Sequence, residues 1–208
     1  IRQKGLASLA KNSGMMCTWV AYFRTHSGNG LGLCVAPGWR IERPHQRRFR
    51  DYGYAYQFAE VTAPHGTLFN VINTHLQSVY LSKLQRGSSS TPDVLAHTSA
   101  QQTRQLLEMV RVGEHLRDPL LLMGDFNSTP NTWVHNRLRR RFLDAHRTTG
   151  FGFGWTRWLY DKIPARIDYL YADRRLRFVG ATRSAASTCS DHAPVVSVLA
   201  PPKTVATP

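Results

Sequence analysis

Hydrophobic and polar residues along this chain fall into short blocks, and the period of each block predicts the element it forms. In residues 5–15, GLASLAKNSGM, Leu6, Leu9 and Ala10 recur at helical spacing ahead of a glycine, which predicts an amphipathic helix with a C-terminal stop. The next block, CTWVAYF, reads as a strand. Residues 25–34 hold three glycines and one asparagine around the apolar Leu31 and Leu33, with Val35 next, the pattern of a loop feeding a strand. YAYQFAEVTA (54–63) and TLFNVINT (67–74) are β-rich runs separated by Pro64, His65 and Gly66, so a hairpin is expected. The serine-rich stretch from Arg86 to Asp93 predicts a surface loop. Helical periodicity then runs from His97 to Leu116 through Leu106, Leu107 and Val110, until Pro119 breaks it.

Leu120, Leu121, Leu122 and Met123 form a run that is apolar on both faces and closed by Gly124, the signature of a buried central strand. A helical stretch through Arg141 and a glycine- and aromatic-rich loop, FGFGWTRW at 151–158, come next. Two further strands are expected at Arg166–Ala172 and Pro194–Leu199. No internal repeat is visible. Hairpins mixed with intervening helices predict an α/β (α+β) packing rather than a doubly wound parallel sheet.

Composition narrows the class. The chain has 208 residues, 42% of them hydrophobic, enough for a sizeable core and one compact domain. That domain is expected over 1–200, with 201–208 as a disordered tail. No apolar run approaches the roughly 18 to 20 residues of a membrane-spanning helix, so no transmembrane segment is expected and the chain reads as a soluble monomer. The three cysteines, Cys17, Cys34 and Cys189, cannot all pair within the chain and match no common zinc or redox spacing. Reduced thiols and a cytoplasmic compartment are the expectation, with one disulfide plus a free thiol in an exported protein as the alternative. The chain starts at Ile1 without a signal-peptide pattern, so a missing N-terminus is expected, along with any export signal or anchor it carried.

Charge points to partners. With 27 Lys and Arg against 13 Asp and Glu, the formal charge of +14 attracts nucleic acid, anionic lipid head groups or phosphorylated small molecules. Of the basic residues 22 are Arg, whose fork binds two phosphate oxygens. The run Arg137, Arg139, Arg140 and Arg141 reads most simply as a solvated helix face.

Four strand-like segments run into, or carry, polar residues suited to proton and phosphate chemistry. LFNVINT meets His75, LLLM meets Asp125 and Asn127 in GDFNSTP, RIDYLY carries Asp168, and the last strand is introduced by Asp191 and His192. Asp125 alone also suits a turn, and His75 alone suits a sheet edge. Asp168 inside an apolar strand needs a hydrogen-bonding or cationic partner, and His192 is the candidate. Combined, the set suits water attacking phosphorus with the help of a divalent cation. Carboxylate oxygens hold a hard cation, a second carboxylate orients the water, and an Asp on one imidazole nitrogen fixes the tautomer and keeps the ring protonated near neutral pH. No G-x-S-x-G elbow, H-E-x-x-H helix or phosphate-cradling glycine loop ending in Lys-Ser or Lys-Thr is present.

NTHLQS, MGDFNSTP, RIDYLY and SDHAPVV, in that order, resemble the successive motifs of the endonuclease/exonuclease/phosphatase superfamily typified by deoxyribonuclease I. The resemblance covers residues 5–200. It implies a four-layer sandwich in which two mixed β-sheets pack face to face with helices outside and a cleft at the strand ends. It also implies roles: His75 contacts the scissile phosphate, Asp125 positions or deprotonates water, and Asn127 orients phosphate or water and helps the metal site. Asp168 holds His192, His192 stabilises the phosphoryl transition state, and Asp191 is a metal ligand alongside Asp125 and Asn127. The implied activity is Mg2+- or Mn2+-dependent hydrolysis of a phosphodiester, of nucleic-acid or phospholipid type.

One departure qualifies that reading. Superfamily members usually begin with a strand carrying an Asn and a second carrying a Gln-Glu pair whose Glu is the principal metal ligand, and neither precedes Gly5. Glu42, Asp51 and Glu60 lie in the wrong order and context to replace it, and Glu60 is expected to be an exposed strand residue. An N-terminally truncated member with weakened or absent metal binding follows. The alternative function is a catalytically impaired basic module that holds phosphate or nucleic acid. The loop at 151–158 sets Phe151, Phe153, Trp155 and Trp158 around Arg157, a combination that stacks on bases or dips into a lipid interface, or else anchors a flexible loop in the core.

Overall fold

The structure, a computed structural model, describes residues 2–21, 29–50, 54–78, 91–159, 162–184 and 190–200. Helix α1 (Gln3–Ser13) buries Leu6 and stops at Gly14, whose φ of 66° is left-handed and therefore suits glycine. Strands β1 (Met16–Ala21) and β2 (Gly30–Val35) follow as an antiparallel hairpin against α1. Its register sets Cys17 directly opposite Cys34, with Cα atoms 4.1 Å apart, and the two are joined as a disulfide. This corrects the expectation of reduced thiols: spacing along the chain carries no register, and only strand pairing brings the two sulfurs together. Cys189 and the expected tail at 201–208 lie outside the described residues.

The main sheet is assembled from β3 (Arg40–Arg48), β4 (Ala55–Thr62), β5 (Leu68–His75), β6 (Leu120–Asp125), β7 (Phe142–Asp144) and β10 (Asp168–Asp173). Its strand order is β3-β4-β5-β6-β10-β7. β4 and β5 form the expected hairpin about Pro64–Gly66, and the all-apolar β6 lies at the centre, parallel to β5 and antiparallel to β10. The parallel β5–β6 step needs a long crossover. Helix α2 (Thr91–Glu114) supplies it, beginning earlier than its apolar periodicity indicates. Helices α3 (Trp133–Arg139) and α4 (Ala145–Thr149) flank β7. The short hairpin β8 (Arg157–Leu159) and β9 (Ile163–Ala165) precedes β10, and β11 (Arg177–Arg183) pairs with β12 (Val195–Ala200).

Alternation along the strands sorts the core onto two faces. On one, Leu106, Met109, Val134 and Leu138 of α2 and α3 pack on Tyr56, Ile72, Leu122 and Tyr171. On the other, Leu33 of β2 and Phe178 of β11 cover Val61, Val71, Leu121 and Ala172. The layering is that of the expected α+β sandwich. Its second layer is two separate hairpins among the described residues, and an apolar cavity of about 580 Å³ lies between Leu33, Trp39, Phe69, Leu121 and Leu199.

One buried polar group gives a measurable consequence. His135 of α3 is wholly buried, with Nδ1 2.7 Å from the Tyr171 hydroxyl and Nε2 2.9 Å from Ser128 Oγ. Burial lowers its pKa from 6.5 to about 4. The folded protein keeps the ring neutral while the unfolded chain protonates it. The stability this contributes is therefore present above the unfolded value and is lost as pH falls from 6.5 towards about 4. The expected loss over that window is about 3 kcal/mol. Urea unfolding at stepped pH checks it: His135→Gln is expected to flatten the slope relative to wild type, and an identical pH dependence in the two proteins refutes it.

Candidate active site

The site grows from the ends of three adjacent strands. Register places His75 of β5 opposite Asp125 of β6, and Asp125 opposite Asp168 of β10, so one rung across the sheet carries His75, Asp125 and Asp168. Alternation turns these residues toward the hairpin side, as it does Val71 and Leu121. His75 Nε2 lies 3.3 Å from Asp125 Oδ2.

The GDFN turn is shaped by backbone. Gly124 has φ 133°, and a Cβ there would lie 1.9 Å from the Thr74 carbonyl oxygen, so only glycine lets β5 and β6 approach this closely ahead of Asp125. Asn127 adopts a left-handed φ of 47°, tolerable for asparagine. Its backbone N–H donates to Asp125 Oδ1 at 2.8 Å, and its side-chain amide donates to the Leu76 carbonyl at 2.9 Å, tying the two strand-end loops together. Helix α2 braces both loops from below. Gln102 donates to the Gln77 and Asn127 carbonyls, and the Gln77 N–H donates to Gln105 Oε1.

His192 arrives from the other side of the cleft, just before β12. Its Nδ1 is 2.8 Å from Asp168 Oδ2, and both side chains are only about one-fifth exposed. This hydrogen bond raises the His192 pKa above its ordinary value, outweighing burial, which acts in the opposite direction. Thr156 pins the pair: its hydroxyl accepts from the Ile167 and Asp168 N–H groups, and its carbonyl accepts from Ala193 N–H at 2.7 Å. One ligand atom each from Asp125, Asp168 and His192 lie within 4.8 Å of one another. Three of the six sequence-predicted residues thus meet at one point, His75 joins them through its contact with Asp125, and Asn127 holds the turn that presents Asp125. Asp191 does not join them: its carboxylate pairs with Arg157 at 2.8 Å and is 70% exposed.

Among the described residues, the other acids considered are engaged elsewhere. Glu42 pairs with Arg40, and Glu60 is half-buried against Arg43 rather than exposed. Asp51 lies outside the described residues. Among the described residues, the group that could hold a cation is Asp125, Asp168 and His192, whose two carboxylates offer the oxygen ligands a hard cation takes.

Sequence reasoning missed Arg166 and Asp144. Arg166 donates to both Asp144 oxygens, at 3.0 and 2.6 Å, and stacks on the Tyr169 ring at 4.5 Å, fixing the turn two residues ahead of Asp168. Asp144 also caps α4 by accepting from Arg147 N–H. That capping position was a readable signal; the ion pair was not.

A sandwich that gathers carboxylates and imidazoles at one strand end defines a class of α+β phosphoester hydrolases. The Endonuclease/Exonuclease/phosphatase family profile matches residues 3–192, and the chain belongs to that family. No curated protein sequence matches it significantly. Among solved structures, an endonuclease/exonuclease/phosphatase from Bacteroides vulgatus superposes with a TM-score of 0.75 at 15% identity, over 96% of this chain and 81% of that one. The human Nocturnin catalytic domain with bound sulfate gives 0.69 at 16% identity, over 95% and 75% of the two chains. The mannosyl-6-phosphatase of Bacteroides thetaiotaomicron gives 0.67 at 13% identity, over 95% and 81%. At these identities the likeness is one of fold.

Proposed function

We propose that the chain hydrolyses a phosphodiester by in-line attack of water, assisted by Mg2+ or Mn2+ at Asp125. The observation that carries this reading is the unbroken line from His75 through Asp125 and Asp168 to His192. With Nδ1 committed to Asp168, His192 presents Nε2 to a phosphoryl oxygen, and the same hydrogen bond raises its pKa, favouring the protonated form that donates there. His75 contacts the same phosphoryl group, and Asp125 positions the attacking water or takes its proton. A bound divalent cation supplies charge neutralisation on the phosphate and the leaving oxygen.

The test uses bis(p-nitrophenyl) phosphate as a generic diester. Turnover is expected with Mg2+ or Mn2+ and to fall at least about 100-fold when the cation is removed with EDTA, then to return when it is restored. Turnover that EDTA leaves unchanged refutes the cation.

A second reading, a basic module that holds polyanions without cleaving them, is favoured by one feature. Arg47, Arg48, Arg50, Arg104 and Arg111 line a cavity of about 810 Å³ between β3 and α2, opposed there by Glu108. Retention of nucleic acid that weakens steeply with salt, with no turnover under any cation, is its expected signature.

A further inference from the structure

Residues 150–158 are built as a tip rather than left as a slack loop, and Lys162 and Ile163 lie just beyond them in the chain. His146 Nε2 lies 3.0 Å from the Gly152 carbonyl oxygen, and its ring fills the space that a Cβ at Gly150 or Gly154 would need. Gly152 and Gly154 both hold positive φ. That backbone projects aromatic groups outward. Phe151 is 100% exposed, Phe153 76%, Ile163 57% and Trp158 51%. The Phe153 and Trp155 rings stack at 4.8 Å and 9°, and Trp155 meets Trp158 edge-on. Lys162 and Arg147 are exposed as well, Lys162 adjoining Ile163 in the chain and Arg147 adjoining the His146 that holds the Gly152 carbonyl. The tip is also anchored to the candidate catalytic pair: Thr156 accepts from Ala193 N–H, and Arg157 bridges to His192 and pairs with Asp191.

Exposed apolar groups clustered in so short a stretch mark a contact surface. We propose that this tip docks on a lipid membrane whose surface is anionic, its rings entering the interface while Lys162 and Arg147 meet the head groups. The formal charge of +14 suits an anionic surface. Two observations favour lipid over nucleobases. Ile163 is aliphatic, offering no ring face to a base, and one face of Phe153 is already covered by Trp155. The arginine cavity suited to a polymer lies between β3 and α2, at the opposite edge of the sheet from β10. The Cys17–Cys34 disulfide is consistent with an oxidising, extracytoplasmic setting, where a membrane surface is at hand. On the hydrolase reading above, docking presents His192 to a phosphoester in the head-group layer; docking itself does not depend on that reading.

The test is sedimentation of the full chain with vesicles of phosphatidylcholine containing phosphatidylglycerol, against pure phosphatidylcholine. Stronger binding to the mixed vesicles is expected. The combined variant Phe151→Ser, Phe153→Ser and Ile163→Ser is expected to lower the partition coefficient at least about tenfold while keeping a wild-type Tm. The proposal is overturned by wild-type chain that does not sediment with either vesicle, by a variant that partitions like wild type, or by a variant whose Tm falls by several degrees, which shows the rings to be covered by this chain. Loss of single-stranded oligonucleotide binding in the variant, with vesicle binding retained, overturns it in favour of base stacking. His192→Ala is expected to bind vesicles as wild type does, so the failure of hydrolysis and the failure of docking read out separately.

Discussion

His192→Ala lowers the turnover of bis(p-nitrophenyl) phosphate by at least about 100-fold, the scale on which a positioned proton donor acts. Asp168→Asn produces a loss of the same order, although it keeps the shape of the side chain and a hydrogen-bonding atom near Nδ1. The reason lies in the 2.8 Å contact: a carboxylate fixes the imidazole tautomer and favours its protonated form, whereas an amide does neither. Because the two residues act as one unit, the double variant is expected to be about as slow as His192→Ala alone rather than slower by the product of the two losses. The loss belongs in kcat, with the far-UV spectrum and Tm of both variants unchanged. Near-normal turnover in either single variant sinks the assignment, and multiplicative losses would dissolve the pairing.

How much of this site was legible in the sequence depends on what each residue type reports. The polar ends of β5 and β6 could be read because an apolar run that stops at NTH or GD marks where a buried strand emerges, and Asp168 could be read because a carboxylate inside an apolar strand demands a partner. Convergence itself was not legible from periodicity. It follows from the register His75–Asp125–Asp168, set by a parallel β5–β6 step and an antiparallel β6–β10 step. Asp191 shows the limit of motif position: it adjoins His192 in sequence, yet its carboxylate pairs with the Arg157 guanidinium. Two further features were hidden for backbone reasons. β3 contains Pro44 and four arginines, with none of the apolar alternation that marks a strand. As an edge strand it tolerates a proline, with a break in register between Glu42 and His45. The Cys17–Cys34 bond needed the pairing of β1 with β2, and the pairing removes the reduced-thiol basis for a cytoplasmic placement.

Arg166→Met is expected to be the most destabilising single change near the site, by about 3–5 kcal/mol in urea unfolding, because it strands a buried carboxylate. The Arg166 and Asp144 side chains are 7% and 2% exposed, so water cannot replace the lost fork. The same change removes the guanidinium from the Tyr169 ring, adding a smaller loss of packing. Arg166→Lys keeps the charge but offers no bidentate fork, and an intermediate loss is expected. Adding Asp144→Asn to Arg166→Met removes the stranded charge while leaving an amide oxygen for the Arg147 N–H at the start of α4, so the double variant is expected to recover part of the stability. Functionally, the turn from Arg166 to Asp168 sets where Asp168 meets His192. Any Arg166→Met protein that remains folded at low temperature is therefore expected to lose turnover as well. A double variant no more stable than Arg166→Met would show that the cost comes from packing rather than from an unpaired charge.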